Sequence, residues 1–215
     1  MITKDMVQAD IDALPVNYKT ADVDRLIRGY VKEKLDLSCL REYVLTEQQF
    51  HRIYFHGTLK QIPDADDRLR WLDGNLLFSD WWHTDQCIDF VKDADIQKAL
   101  SYARGYVLSD DPFIRRWGYV MFISKLCRDE AALDAILSLL HNDEHYYVQM
   151  AQAWLIAELA VFFPGRVLPW MRDCALTYSI TGKAIQKICD SRRIADADKE
   201  RFRALRAERK KIGRS

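Results

Sequence analysis

The chain has 215 residues, of which 49% are hydrophobic and 30% charged, ordinary values for a globular protein with a real core rather than a stapled mini-protein. Its formal net charge is zero, which counts against a protein that coats long duplex DNA non-specifically, because phosphate contacts drive such binding. Only 8 Gly and 5 Pro interrupt it, too few for a many-turned β architecture.

The predicted elements are helices. Apolar residues recur at spacings of three and four through most of the chain, the helical period. Asp22–Leu35 aligns Val23, Leu26, Ile27, Tyr30 and Val31 on one stripe. Thr46-Glu47-Gln48-Gln49 carries a capping-box pattern ahead of Phe50, Ile53 and Tyr54. Ser109-Asp110-Asp111-Pro112 predicts another start, because Pro early in a helix forfeits no hydrogen bond. That helix is expected over Phe113–Cys127. Others are expected at Glu130–Leu140, Glu144–Phe163 (stopped by Pro164-Gly165), Arg166–Ala175, Ile180–Asp190 and Ala195–Lys211. Helices of this length joined by short loops predict antiparallel neighbours in an all-α fold. The succession is consistent with a HEAT-like solenoid whose inner curve forms a concave binding surface. We expect a single domain over 1–215, with divergent helices before residue 40 and a basic helix or tail over 199–215.

Charge breaks each apolar stretch short of the ~18–20 residues that span a bilayer. Met1-Ile2-Thr3-Lys4-Asp5 opens no secretory leader. The expectation is a cytoplasmic protein without membrane contact. Cys39, Cys87, Cys127, Cys174 and Cys189 lie singly among apolar neighbours, which fits small buried hydrophobes better than a disulfide framework. His51/His56 and His141/His145 are spaced pairs. The second spacing suits a helix face, but no HExxH accompanies either, and no metal site is expected. Charge is unevenly placed. Lys199–Arg214 reads KERFRALRAERKKIGR, whereas Asp64-Ala65-Asp66-Asp67 and the stretch Asp5–Asp24 are acid-rich. The basic run is a solvated helix end or a nucleic-acid contact.

Four motifs stand in order along the chain. They are Asp80-Trp81-Trp82-His83-Thr84-Asp85, the helix DPFIRRWGYVM over Asp111–Met121, the segment DEHYYVQMAQAWLIAELAVFFP over Asp143–Pro164, and KAIQKICDSRR over Lys183–Arg193. Together they resemble the DNA alkylation repair family, the AlkD-like HEAT-repeat DNA glycosylases, over roughly residues 40 to 211. The segment before Leu40 has no counterpart in that family. The resemblance implies excision of cationic N3- or N7-alkylated purines from duplex DNA by a monomer that needs no cofactor, no metal and no deep base pocket. It implies that Asp85 is the carboxylate that stabilises positive charge on the sugar. Trp81 and Trp82 would flank the damaged nucleotide, Trp154 would supply a second aromatic surface, and Arg116, with Arg115 beside it, would hold backbone phosphates.

Each of these residues also has a bland role. Asp85 suits a helix N-cap or first-turn acid, and Arg116 suits a surface pair with Asp110 or Asp111. Trp71, Trp117 and Trp170 are read as core. Two registers remain open for the tryptophan motif: Trp81 with Asp85, or Trp82 with Gln86, whose amide cannot carry the negative charge an oxocarbenium ion requires. The first needs no substitution and is preferred. Beside the glycosylase stand two alternatives, a non-catalytic DNA-binding member of the same family and a protein-binding helical scaffold.

Overall fold

A computed structural model describes residues 2–212. Its regular elements are helical and no strand occurs among the described residues, so the all-α expectation holds. None of the described helices is long and apolar enough to cross a membrane. The chain divides into two compact units, Met1–Val91 and Lys92–Ser215.

The first unit contains α1 (Lys4–Asp12), α2 (Thr20–Lys32), α3 (Gln48–Leu59), α4 (Ala65–Asp73) and α5 (Trp81–Asp85). Thr3 caps α1 by accepting the Met6 N–H, and the Asp22 carboxylate accepts the Lys19 N–H at the start of α2 (2.9 Å). The Tyr30 hydroxyl donates to Asp10 (2.6 Å), tying α2 to α1. The capping box expected at Thr46 does not form. A 3-10 turn over Ser38–Tyr43 ends close by, and the Thr46 hydroxyl donates to the Tyr43 carbonyl (3.1 Å). The cap position of α3 passes to Glu47. The acid-rich run at Asp64 is a helix start: Asp64 accepts the N–H groups of Asp66 and Asp67, and those two acids face the positive end of the dipole.

The second unit holds α6 (Ile96–Tyr106), α7 (Pro112–Val120), α8 (Leu133–Leu137), α9 (Tyr146–Phe162), α10 (Pro164–Asp173), α11 (Tyr178–Asp190) and α12 (Asp196–Ile212). The Asp111 carboxylate caps α7 through the N–H groups of Phe113 and Ile114, with Pro112 in the first turn, as the sequence predicts. This helix is shorter than expected. Every residue from Arg116 to Ile123 is buried, and the chain tightens after Val120 into i→i−3 bonds, Phe122 to Tyr119 and Ile123 to Val120. A straight helix would turn some of these side chains to solvent, so the chain bends to keep them inside. Trp117 is fully buried in this core.

α9 is buried nearly all round and packs against α7, α10 and α11. Its only partly exposed i, i+4 stripe is Tyr146, Met150, Trp154, Glu158 and Phe162. The His141/His145 pair does not share a helix face, because both residues precede α9 and His145 is its N-cap. The basic run is more than a solvated end: Phe202 and Leu205 of α12 are buried, and Arg209 Nη1 donates to the carbonyls of Met171, Arg172 and Cys174 at the end of α10. Residues 213–215 of the predicted tail lie outside the described residues. Cys87 and Cys127 are buried as expected, whereas Cys39, Cys174 and Cys189 are half-buried; all five thiols are free. Trp71 and Trp170, expected in the core, are half-buried as well.

Candidate functional site

α5 is a five-residue helix whose N-cap, Asp80, accepts the Trp81 N–H (2.6 Å). Asp85 closes the helix rather than capping it. Positions 81 and 85 lie one turn apart and share a face. Trp81 is 44% exposed, large for an indole, while Trp82 and Asp85 are half-buried. These three residues line one cleft of ≈ 900 Å³. Tyr18 and Lys19 from the segment leading into α2, with Gln49 and Arg52 from α3, line it too.

Gln86 reaches the same cleft, so both registers of the tryptophan motif have their fourth-step residue there. The two side chains are held differently. Gln86 Nε2 donates to His51 Nδ1 (2.6 Å), and its Oε1 accepts from Arg52 Nη1 (3.3 Å). An amide fixed at both ends acts as a strut. The Asp85 carboxylate accepts from the Thr84 hydroxyl (3.1 Å) and brings formal negative charge to the cleft.

Behind α5 lies a polar interior. The His51 ring stacks on His83 (3.7 Å between centroids) and on Phe55 (4.3 Å), with Trp82 edge-on at 5.2 Å. His51 Nε2 donates to the Leu77 carbonyl (3.1 Å), which leaves Nδ1 as the acceptor that Gln86 requires. His83 Nδ1 accepts the Ser79 N–H (3.0 Å). Burial holds all three imidazoles neutral. It lowers the pKa of His51 from 6.5 to about 3, reinforced by the neighbouring His83. His56 falls to about 4 through burial and then the charge of Arg52, and His83 to about 4 through burial.

Arg52 joins this interior to α2. Its Nε and Nη2 donate to the two carboxylate oxygens of Asp24 (2.9 and 3.0 Å), the bidentate geometry that suits a guanidinium. Burial opposes the charge on Asp24, but the Arg52 fork outweighs it and the pKa lies below the usual carboxylate value. The chain Asp24–Arg52–Gln86–His51 thus braces α5 from beneath.

The remaining predicted site residues belong to the second unit. Arg115 donates to both oxygens of Asp143 (2.7 and 3.3 Å) and to the carbonyls of Ser109 and Asp110. Burial opposes ionisation of Asp143, and the Arg115 fork with the His145 N–H more than offsets it, so its pKa is lowered. Arg116 is 4% exposed, and its Nη1 donates to the Tyr147 carbonyl (2.8 Å). Its guanidinium lies inside the unit rather than on its surface. Trp154 is half-buried on the open stripe of α9 with the Lys187 ammonium over its ring (5.9 Å). Lys183 lies likewise over Tyr146 (5.7 Å).

The structure brings Trp81, Trp82 and Asp85 to one cleft. Tyr18, Gln49 and Arg52 join them in the lining, and Asp24 and His51 hold Arg52 and Gln86 from behind; none of these five was expected at the site from the sequence. The predicted helix start near Thr46 placed Gln49 and Arg52 close to a helix N-terminus, but nothing in the sequence joined Arg52 to Asp24, 28 residues away. No group of three His, Cys, Asp or Glu side chains able to hold a metal ion occurs among the described residues. Comparisons with family models, curated proteins and solved structures each find no match for this chain.

Proposed function

We propose that the chain is a DNA repair glycosylase, built on a HEAT-like helical repeat, that excises cationic N3- or N7-alkylated purines from duplex DNA. The observation that carries this reading is the convergence of Trp81, Trp82 and Asp85 on one cleft. An alkylated purine already carries positive charge and is a good leaving group. The glycosidic bond breaks with its electron pair passing to the base, which departs neutral. Positive charge then moves to the sugar. A carboxylate opposite that sugar stabilises the charge electrostatically and orients the water that adds to the anomeric carbon, taking up the proton the water releases. The two indoles attract the cation before the bond breaks. The repeat scaffold is supported by packing between helices one or two places apart in the chain, α6 on α7, α7 on α9, α9 on α11 and α11 on α12.

Two observations favour a second reading, a DNA binder of the same build without catalysis. Gln86 stands in the cleft beside Trp82, and Arg116 is withdrawn from the surface where phosphates would lie. Release of 7-methylguanine and 3-methyladenine from methylated duplex DNA decides between them. In the glycosylase the wild type releases both bases and Asp85→Asn releases neither while still binding DNA. Salt-sensitive binding without release leaves the binder.

A further inference from the structure

The family resemblance assigns phosphate contacts to Arg115 and Arg116, yet the second unit uses both internally. Arg115 is held in its fork with Asp143, and Arg116 is buried, donating to the Tyr147 carbonyl. Other cations of this unit lie on the open stripe of α9. Lys183 sits over the Tyr146 ring, Lys187 over Trp154 and Arg128 over Phe162, at 5.7, 5.9 and 5.2 Å from the ring centroids. Glu158, the one carboxylate of the stripe, is paired with Arg193.

A ring seat differs from an ion pair in what it leaves behind. The quadrupole of an aromatic face attracts an ammonium without neutralising it, whereas a carboxylate cancels its charge. No carboxylate pairs with Lys183 or Lys187 among the described residues. Lys183 is fixed further by two neutral acceptors, the Gln149 side-chain carbonyl (2.8 Å) and the Ser179 carbonyl (2.9 Å). One of its three N–H donors is thereby left for an anion. The two lysines stand four residues apart on α11, about 6 Å along the helix axis, comparable with the step between neighbouring phosphates on one nucleic-acid strand. Between its phosphates such a strand presents sugars, whose apolar faces suit a ring as exposed as Tyr146. An acidic peptide offers neither the fixed step nor the sugars.

We infer that the α9–α11 face grips a DNA backbone: Lys183 and Lys187, seated on Tyr146 and Trp154, hold consecutive phosphates of one strand of a duplex. The inference rests on the DNA-binding part of the proposed function and not on base excision. It moves the phosphate contacts from Arg116 to α11. It also gives Trp154 a different part, as the seat of a phosphate contact rather than a surface against the damaged nucleotide. Contacts of this kind position a duplex without reading its sequence.

The test uses the full chain, a short undamaged duplex and a poly-glutamate peptide, with affinities measured by fluorescence anisotropy across a series of salt concentrations. Circular dichroism confirms the fold of each variant. Each phosphate contact adds about 0.9 to the slope of log affinity against log salt. Lys183→Gln and Lys187→Gln should each lower that slope by about 0.9, and the double variant by about 1.8. Lys183→Arg keeps the charge and should keep the slope. Tyr146→Leu removes a seat but no charge, so it should weaken binding by about two- to fivefold at an unchanged slope. An unchanged slope in the double variant, or no salt-dependent duplex binding by the wild type, overturns the proposal. So does tighter binding of poly-glutamate that the same two substitutions abolish, which would make the face a dock for an acidic protein. Excision from methylated duplex with unchanged slopes would remove the grip and leave the glycosylase. Lowered slopes without excision would do the reverse.

Discussion

Around Trp117 the second unit buries an unbroken run, Arg116–Ile123, in which the only ionisable side chains are the Arg116 guanidinium at its start and the Tyr119 phenol. Around His51 the first unit buries His51, His56, His83 and Thr84 and braces them with an ion pair and an amide. The two interiors respond to different insults. An apolar core depends on filled volume and is indifferent to pH. A polar one holds its geometry firmly while every group is satisfied, and loses it when one of them changes charge. The candidate site lies over the polar interior, which fixes α5 more specifically than apolar contact would and ties it to the protonation of three imidazoles.

Acid should separate the two most strongly. His51, His56 and His83 have folded pKa values of about 3 to 4, below the unfolded 6.5. The unfolded chain therefore binds protons first. Stability is fully present above about pH 6.5 and is lost as pH falls toward about 4, where the folded protein titrates too. Each pH unit of that gap is worth about 1.4 kcal/mol per group. Denaturant midpoints measured across this range should fall steeply, and His51→Phe should flatten the profile. A flat wild-type profile would dissolve the contrast.

Truncation should hit the other interior. Trp117→Ala removes a fully buried indole and should cost about 3–5 kcal/mol, read as a lower denaturant midpoint at neutral pH. A loss below about 1 kcal/mol would mean that this core can collapse around the gap. Arg52→Met tests the brace: it deprives Asp24 of its fork and Gln86 of a donor, and should cost about 1–3 kcal/mol. Proton titration followed by NMR should show the Asp24 pKa returning upward. The smallest effect is expected from Tyr30→Phe, which removes the bond to Asp10 and should cost about 0.5–1.5 kcal/mol.

What could be read in advance divides along the same line. The helices of the second unit were legible because their apolar period, the Asp111-Pro112 cap and the Pro164-Gly165 stop are local signals. The bend after Val120 was not, because it depends on what surrounds seven consecutive side chains. In the first unit the sequence offered Trp81-x-x-x-Asp85 as one motif, and both residues line one cleft. The Arg52–Asp24 pair and the His51–His83 stack join residues 28 and 32 positions apart, the cleft wall from Val16 to Val23 meets α5 across about 60 to 70 positions, and no spacing rule reports such meetings. The Thr46 capping box does not form because α3 starts one residue later, with Glu47 at its N-cap.

Arg209 carries one last consequence. Its guanidinium closes the end of α10 by taking the carbonyls of Met171, Arg172 and Cys174, and that of Leu176 beyond them, while Phe202 and Leu205 are buried on the same helix. The run that looks like a detachable polycation is therefore part of the wall of the second unit. Trimming the chain before Lys199 to improve its handling would strip four acceptors of their donor and bare an apolar seam, and the shortened protein should come out of expression as aggregate.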